Sequence, residues 1–442
     1  MKDRLSVLLT SALMMSLAPP AAAQDPSAPI TLTLADAVEL AQKASHRLAE
    51  ARAREGGAVA TVRVRQTADL PIVGVTGGYT RTNHVDEFGV RQADGSLRII
   101  YPDIPDNRRA RVFAQWPIYT GGRTGALERA AEAEAHAAGA DLETARADLR
   151  LEVVRAYWGL ATAVETARVL EVALSRADAH LADVRSQFDA GLLPPNDVTS
   201  LEAQRSREEV QLIEARNLRE SAAIELRRLT DLPADAPIEM AERLELSTAA
   251  APVAATVTDA LQRRPERRAL TLRIEGASER QAAAAAGRRP TLNLAGGVDY
   301  ARPNTRIFPL TDRWRTSWDV GVNASWTFWD SGRTDAEVAE AAFAATAARE
   351  RLADFETMVA ADVRQQILNV ESSLAAVTAS ADGVRSAAEA RRVVTERFNV
   401  GVATSTDVLD ARVALLQAEL DRTRALANAR LAEARLDRAM GR

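Results

Sequence analysis

Cysteine is absent from the chain. That removes disulfides, thiolate metal sites, cysteine nucleophiles and an N-terminal cysteine lipid anchor at one stroke. Lysine occurs only at Lys2 and Lys43, and the formal net charge is −5, so the basic face that a nucleic-acid partner requires is missing. Beyond the first residues no stretch approaches ~18 uncharged apolar residues, and no transmembrane helix is expected. The four histidines, His46, His84, His136 and His180, are scattered without metal-ligand spacing. No Gly-rich loop links a strand to a helix in the phosphate-binding pattern. Acidic residues lie mostly in long helical patterns, where solvation or i,i+4 pairing with arginine is their ordinary role. Neither catalysis nor a cofactor is expected.

Alanine and arginine, both strong helix formers, dominate what is there. At the N-terminus Lys2 and Arg4 flank a largely apolar run from Leu5 to Leu17, and Ala21-Ala22-Ala23 precedes Gln24. This reads as a secretory signal at 1–23. Its removal takes away Lys2, Asp3 and Arg4, a net +1, leaving −5 − 1 = −6. The chain is expected to be exported, and any membrane insertion must use strands.

The main positive signal is internal repetition. Trp116-Pro-Ile-Tyr-Thr-Gly-Gly-Arg123 returns as Trp326-Thr-Phe-Trp-Asp-Ser-Gly-Arg333, and Phe188-Asp-Ala-Gly191 returns as Phe398-Asn-Val-Gly401, each 210 positions later. Leu70-Pro71 and Gly77-Gly78 match Arg289-Pro290 and Gly296-Gly297 at an offset of 219. The first copy therefore carries nine extra residues between its two matched strands, as a surface loop tolerates.

Each copy reads as helix, two strands, very long helix, turn, helix. The first spans 24–230 and opens on a capping box, Thr33-Leu-Ala-Asp36, with a helix to about residue 69. Strands are expected at about 72–82 and 109–119, and a proline-free helix from about 124 to 189. At 1.5 Å per residue that helix is about 100 Å long, a tube or coiled-coil element. Ala167, Leu170, Leu174, Ala177, Leu181, Val184 and Phe188 recur with a mean period of 3.5, the spacing of a left-handed seam. Gly191 stops this helix, and Pro194-Pro195-Asn196-Asp197 starts its partner. Residues 231–256, rich in Pro, Ala and acidic residues, are expected to be a linker. The second copy, 257–442, has strands at about 291–302 and 314–329, a helix near 333–399, a turn from Gly401 to Thr406, and a helix from Asp407 to Met440. Its seam is less clean, with Arg391 at one apolar position.

The strands carry the membrane argument. In the fourth, Trp314, Thr316, Trp318, Val320, Val322, Ala324, Trp326 and Phe328 share one face, against Arg315, Ser317, Asp319, Asn323, Ser325 and Thr327. The third alternates Leu292, Leu294, Val298 and Tyr300 against Thr291, Asn293 and Asp299. Alternation over ~10 residues with aromatics near the ends is the pattern of a transmembrane barrel strand. Five of six tryptophans, all but Trp158, fall in or beside these strands. Trp116, Trp318, Trp326 and Tyr300 are the candidates for an interfacial girdle. A soluble hairpin with one buried face is the alternative that the strands alone leave open. Four strands cannot close a barrel, and open edges are not tolerated in lipid, so several chains must share one.

With these strand-exit and hairpin motifs in order, the chain resembles the TolC-like outer membrane efflux factors over essentially its whole length after residue 23. The resemblance rests on Pro117-Ile-Tyr-Thr-Gly-Gly-Arg123 and Phe328-Trp-Asp-Ser-Gly-Arg333. It rests equally on Phe188-Asp-Ala-Gly-Leu-Leu-Pro-Pro-Asn-Asp-Val198 and Phe398-Asn-Val-Gly-Val-Ala-Thr-Ser-Thr-Asp-Val-Leu-Asp410. It implies a mainly α protein with transmembrane β: a homotrimer with a twelve-stranded barrel in the lipid of the Gram-negative outer membrane, continuous with a periplasmic tunnel of twelve helices. It also implies a passive duct that docks on a periplasmic adaptor and an inner-membrane transporter. Drugs, metals and secreted proteins all remain possible cargo, although the six methionines form no pore-facing row, which disfavours a soft-metal path.

The hairpin tips supply the site residues. Asp197 and Asp407 sit where N-capping is the ordinary role, and Asp410 lies one turn further on, where a solvated face is. Three-fold symmetry would turn any inward-facing Asp into a ring able to attract cations, and the resemblance matches Asp407 and Asp410 to acidic rings at the tunnel mouth. Asp197 is the third candidate. Gly191, Leu192, Gly401 and Val402 are the expected adaptor contacts. The family's tip also uses an aromatic hydroxyl and an arginine to tie the mouth shut. Here those positions hold Phe398 and Ala403, and the first tip has Pro194-Pro195, so a looser gate or one closed by apolar packing is expected. The competing reading is an exported periplasmic helical scaffold or adhesin without a membrane barrel.

Overall fold

The computed structural model describes residues 30–246 and 256–442. The signal-peptide reading of 1–23 and part of the expected linker lie outside the described residues. In chain order the first copy contains β1 (Ile30–Leu32), α1 (Leu34–Ala44), α2 (His46–Gln66), β2 (Ile72–Arg81), β3 (Phe88–Arg91), β4 (Leu97–Tyr101), β5 (Asp106–Tyr119), α3 (Arg123–Asp189) and α4 (Pro195–Thr230). After β6 (Ile238–Met240) come α5 (Val257–Arg263), α6 (Pro265–Ala285), β7 (Thr291–Arg302), β8 (Arg315–Ser325), α7 (Arg333–Asn399) and α8 (Ser405–Ala439).

The expected capping box forms. Thr33 Oγ1 accepts the Asp36 N–H at 3.1 Å, and the Asp36 carboxylate accepts the Thr33 N–H at 3.3 Å. The helix expected to run on to residue 69 is, however, two helices. The chain leaves helical geometry at Ser45, whose hydroxyl caps α2 through the Leu48 N–H at 3.3 Å. A matching break separates α5 from α6 at Arg264, where Pro265 begins the second helix. His46 and Pro265 are 219 positions apart, so both copies bend at the same place.

α3 and α7 are 67 residues each, about 100 Å at 1.5 Å per residue. Their first turns are held alike: Thr120 Oγ1 accepts the Thr124 N–H at 3.4 Å, and Asp330 Oδ2 accepts the Thr334 N–H at 2.9 Å. α3 packs against α2 and α6 in its first part and against α4 and α8 further on, while α7 packs on α6 and α8. The seam meets its partners: Ala167, Leu170, Leu181 and Val184 are buried against Leu201, Leu212 and Ala215 of α4 and Leu409 and Leu416 of α8, and Ala177 is buried between them in sequence. Only its last member, Phe188, is exposed at the tip.

The largest core lies midway along α3, where Tyr157, Leu149 and Val153 pack with Leu48 and with Leu226 of α4. It also captures the beginning of the expected linker. β6 pairs in parallel with β1, and Leu232, Ile238 and Met240 pack on this core. In its described part the linker is therefore anchored, through apolar residues interleaved among its acidic ones.

The four barrel-type strands form one antiparallel sheet in the order β2-β5-β7-β8. Two boundaries differ clearly from expectation. β5 starts three residues early, at Asp106. β8 ends at Ser325 rather than 329, where Trp326 turns away to donate to the Arg288 carbonyl at 3.1 Å. The extra residues of the first copy lie in a connection that is not a plain loop, since β3 and β4 form a hairpin within it.

Tyr157 donates its buried hydroxyl to the Leu32 carbonyl at 3.1 Å, tying β1 to α3. Tyr157→Phe is expected to lower the local opening free energy around β1 and β6 by about 1 kcal/mol, read as faster amide exchange at 30–32 and 238–240 with the rest of α3 unchanged.

Candidate functional site

Two regions could act on a cargo: the sheet and the hairpin tips. Across the sheet, side chains on directly opposed residues share a face. Val75, Val112, Val298 and Trp318 are opposed in series, as are Gly77, Ala110, Tyr300 and Thr316. One face is thus Val73, Val75, Val112, Leu294, Val298, Trp318, Val320 and Val322, an apolar surface open to its surroundings, with Trp318 73% and Val320 65% exposed. Nothing else among the described residues covers it. At its two ends sit the aromatics. Trp116 and Trp326 lie at the ends that lead into α3 and α7, each hooked by its indole N–H to a carbonyl, Asp69 at 2.8 Å and Arg288 at 3.1 Å. At the other end Tyr300 stacks on Trp314, with centroids 4.7 Å apart. All four girdle candidates lie on or bordering the apolar face.

The opposite face is charged. Asp299, 3% exposed, accepts Arg109 Nε at 2.6 Å and Arg111 Nη1 at 2.5 Å, and Arg111 reaches on to Asp319 at 2.8 Å. The guanidinium of Arg111 thereby crosses from β5 over β7 to β8. Gly297 makes room for it, because a Cβ there would lie 2.8 Å from Arg111 Nη2. Sequence reasoning placed Asp299 and Asp319 on this face but not the arginines, whose partners become visible only once strand order is known.

At the tips the two copies converge on one hydrogen-bond pattern. Gly191 (φ 74°) donates to Phe188 O at 2.8 Å, and Leu192 donates to Gln187 O at 2.9 Å. Gly401 (φ 76°) donates to Phe398 O at 2.9 Å, and Val402 donates to Arg397 O at 2.8 Å. These are paired Schellman closures, and the left-handed backbone at the turn is why glycine stands there. Leu192, Val400 and Val402 are exposed beside them, so both tips present apolar side chains.

The acidic candidates divide. Asp407 completes a capping box: its carboxylate accepts the Thr404 N–H at 2.8 Å, and Thr404 Oγ1 accepts the Asp407 N–H at 3.2 Å. The Thr404 N–H, aided by the hydroxyl, holds that carboxyl below the usual range. Asp197 does not cap its helix. Pro194 is the N-cap residue and offers no side-chain acceptor, and among the described residues the Asp197 carboxylate accepts only Asn196 Nδ2 at 3.2 Å. Asp410 is exposed.

Above the tips lies a cluster that sequence reasoning missed, drawn from all four helices of the two hairpins. His180 of α3 is 6% exposed, meets Phe398 of α7 edge-on with centroids 6.1 Å apart, and has no hydrogen-bond partner at Nε2. Arg412 of α8 donates to the Arg176 carbonyl at 3.0 Å. A cavity of about 30 Å³ beside it is lined by Glu208 of α4, Arg391 and Glu419 among others. Arg391, the irregularity in the second seam, therefore belongs to an inter-hairpin charge cluster. Burial, with Arg412 adding to it, pushes His180 down to about 4, while burial raises Glu208. Phe398 of the second hairpin thus packs its ring against His180 of the first.

A histidine depressed from 6.5 to about 4 favours the packed state above its ordinary value and progressively opposes it as pH falls between the two. The raised carboxyl of Glu208 acts in the opposite sense, as pH falls through its raised value toward the ordinary 4.5. Amide protection of residues 177–188, corrected for intrinsic rates, is expected to fall from pH 6.5 to 4, and His180→Leu should flatten that fall. An unchanged profile in the variant would remove His180 as its cause.

The comparisons with known proteins agree with this geometry. The outer membrane protein TolC of Vibrio cholerae serotype O1 is 24% identical over 418 residues, 90% of this chain and 87% of its own. Among solved structures, the outer membrane protein VceC of Vibrio cholerae superposes with a TM-score of 0.79 at 20% identity, covering 92% of this chain and 96% of its own. The open-state MtrE outer membrane channel of Neisseria gonorrhoeae gives 0.77 at 20% identity, covering 92% and 88%. Residues 37–231 and 256–442 match the outer membrane efflux protein family, and the chain belongs to that family.

Proposed function

We propose that three copies of the chain close into a single duct, which docks at its tips on a periplasmic adaptor and is supplied by an inner-membrane transporter. As an outer membrane efflux protein the chain is an exit duct of the Gram-negative outer membrane. The observation that supports its mode of assembly is the coincidence of free edges. The sheet ends at β2 on one side and β8 on the other, and the helix layer ends at α2 and α4 on one side and α7 on the other. α2 leads into β2 and β8 into α7, so every free edge of one kind lies on one side. Such unlike edges join head to tail and generate a ring, and a ring leaves no strand unpaired in lipid. The apolar face then meets lipid, with Trp116, Trp326, Trp318 and Tyr300 near the interfaces, and the Arg–Asp face lines the bore. Asp407 and Asp410 stand near the tunnel mouth, where their three-fold repetition forms acidic rings. The chain performs no chemistry on its cargo, and the pump supplies both the energy and most of the selection.

Native mass spectrometry of outer-membrane extracts is expected to give a species of three chains. Val320→Arg, which sets a charge near the middle of the lipid face at a cost of about 2–4 kcal/mol per chain, should abolish that species. A periplasmic scaffold would tolerate the substitution.

Replacing Gly401 by Leu forces a side chain into left-handed backbone at about 1 kcal/mol or more. Export should fall while trimer yield from the outer membrane stays normal. Undiminished export would remove this tip from the adaptor contact.

A further inference from the structure

The connection between β7 and β8, residues 303–314, does not stand free above the sheet. Asn304, 4% exposed, donates from Nδ2 to Ser317 Oγ and to the Arg315 carbonyl, both at 3.0 Å, and its Oδ1 accepts the Arg306 N–H at 3.0 Å. Arg306 Nη1 donates to Asp319 Oδ1 at 2.7 Å, and its Nε lies 4.0 Å from Asp299 Oδ2. Ser317, Asp319 and Asp299 all belong to the charged face, opposite Trp318 and Val320. A connection standing upright, or leaning over the apolar face, could not make these bonds. It is folded over the face that lines the bore, at the strand ends remote from α3 and α7. Near its middle Phe308 is 71% exposed, an aromatic side chain that nothing else among the described residues covers.

We propose that residues 303–314 form an inward collar that sets the size limit of the duct's outer end. Asn304 and Arg306 hold the collar over the bore, and Phe308 of each copy forms its rim. The proposal rests on the duct reading. The holding bonds are suited to a collar that yields. The Arg306–Asp319 pair is partly exposed on both sides, and such pairs are weak and screened by salt. Cargo pushed from the pump side can part it, whereas a large solute outside has no such drive. Asp319 keeps its second partner, Arg111, at 2.8 Å, so the strands stay bridged when the collar moves.

The absence of cysteine makes a direct test possible. Asn323 lies on the bore-lining face of β8, below the collar. In whole cells carrying Asn323→Cys, a small membrane-impermeant maleimide and one bearing a bulky polyethylene glycol chain are added from outside. The small reagent is expected to label the reporter, and the bulky one to fail. Adding Arg306→Ala or Phe308→Gly should admit the bulky reagent while leaving small-reagent labelling and trimer yield unchanged. Equal bulky-reagent labelling in all three proteins, whether full or absent, would overturn the collar. A reporter that even the small reagent cannot reach in outer-membrane-inserted protein would overturn the duct reading, and the collar with it. The readout is taken from outside, so the state of the periplasmic mouth does not enter.

Discussion

Every peptide group placed in hydrocarbon must find a hydrogen-bond partner within protein, and the rest of this structure depends on that constraint. A sheet of four strands leaves two rows of donors and acceptors open, along β2 and β8. The chain cannot satisfy them itself. In the proposed ring they are satisfied when the edge of one copy meets the other edge of the next, which would also bring the free flank of α7 to the free flanks of α2 and α4. Closure in the membrane thereby dictates closure of the tube beneath it. The division of the sheet into an apolar and a charged face follows as well, since only a closed sheet has an inside.

Duplication explains how a long chain builds so regular an object. Equivalent positions make equivalent bonds: the indoles of Trp116 and Trp326 each hook a carbonyl just before a strand, and the tips at Gly191 and Gly401 share one closure. The copies diverge where identity is not needed for closure. One helix after the tip starts on an uncapped proline and the other on a full capping box. One strand connection carries a hairpin and the other folds over the charged face of the sheet.

Much of this was legible from residues alone. The two long helices, the strands and their faces followed from alternation, seam spacing and the fixed offset, because each is a periodic pattern that burial imposes on a long segment. The misreadings were local. Ser45 interrupts a helix without a proline to announce it, and a polar side chain that caps is indistinguishable in sequence from one that is merely solvated. Asp197 looked like a cap, but the preceding Pro194 took the position. The cluster of His180, Glu208, Arg391 and Arg412 was not legible at all, since its members come from four helices and none shows a spacing relation to another. The crossing of Arg111 from β5 to Asp319 was hidden for a similar reason: it depends on strand order, and on a glycine whose role is to leave space.

The unlike edges have a genetic consequence. In the proposed ring of three, a chain that offers one surface to its left neighbour and another to its right takes part in two contacts, so a single faulty copy spoils the whole ring rather than a third of it. If sound and faulty chains were made in equal amount and mixed freely, only about one ring in eight would be wholly sound. Damage to β2 or β8 would then act dominantly in a cell that still makes the intact protein, whereas damage that stops a chain from folding at all would be silent beside a good copy.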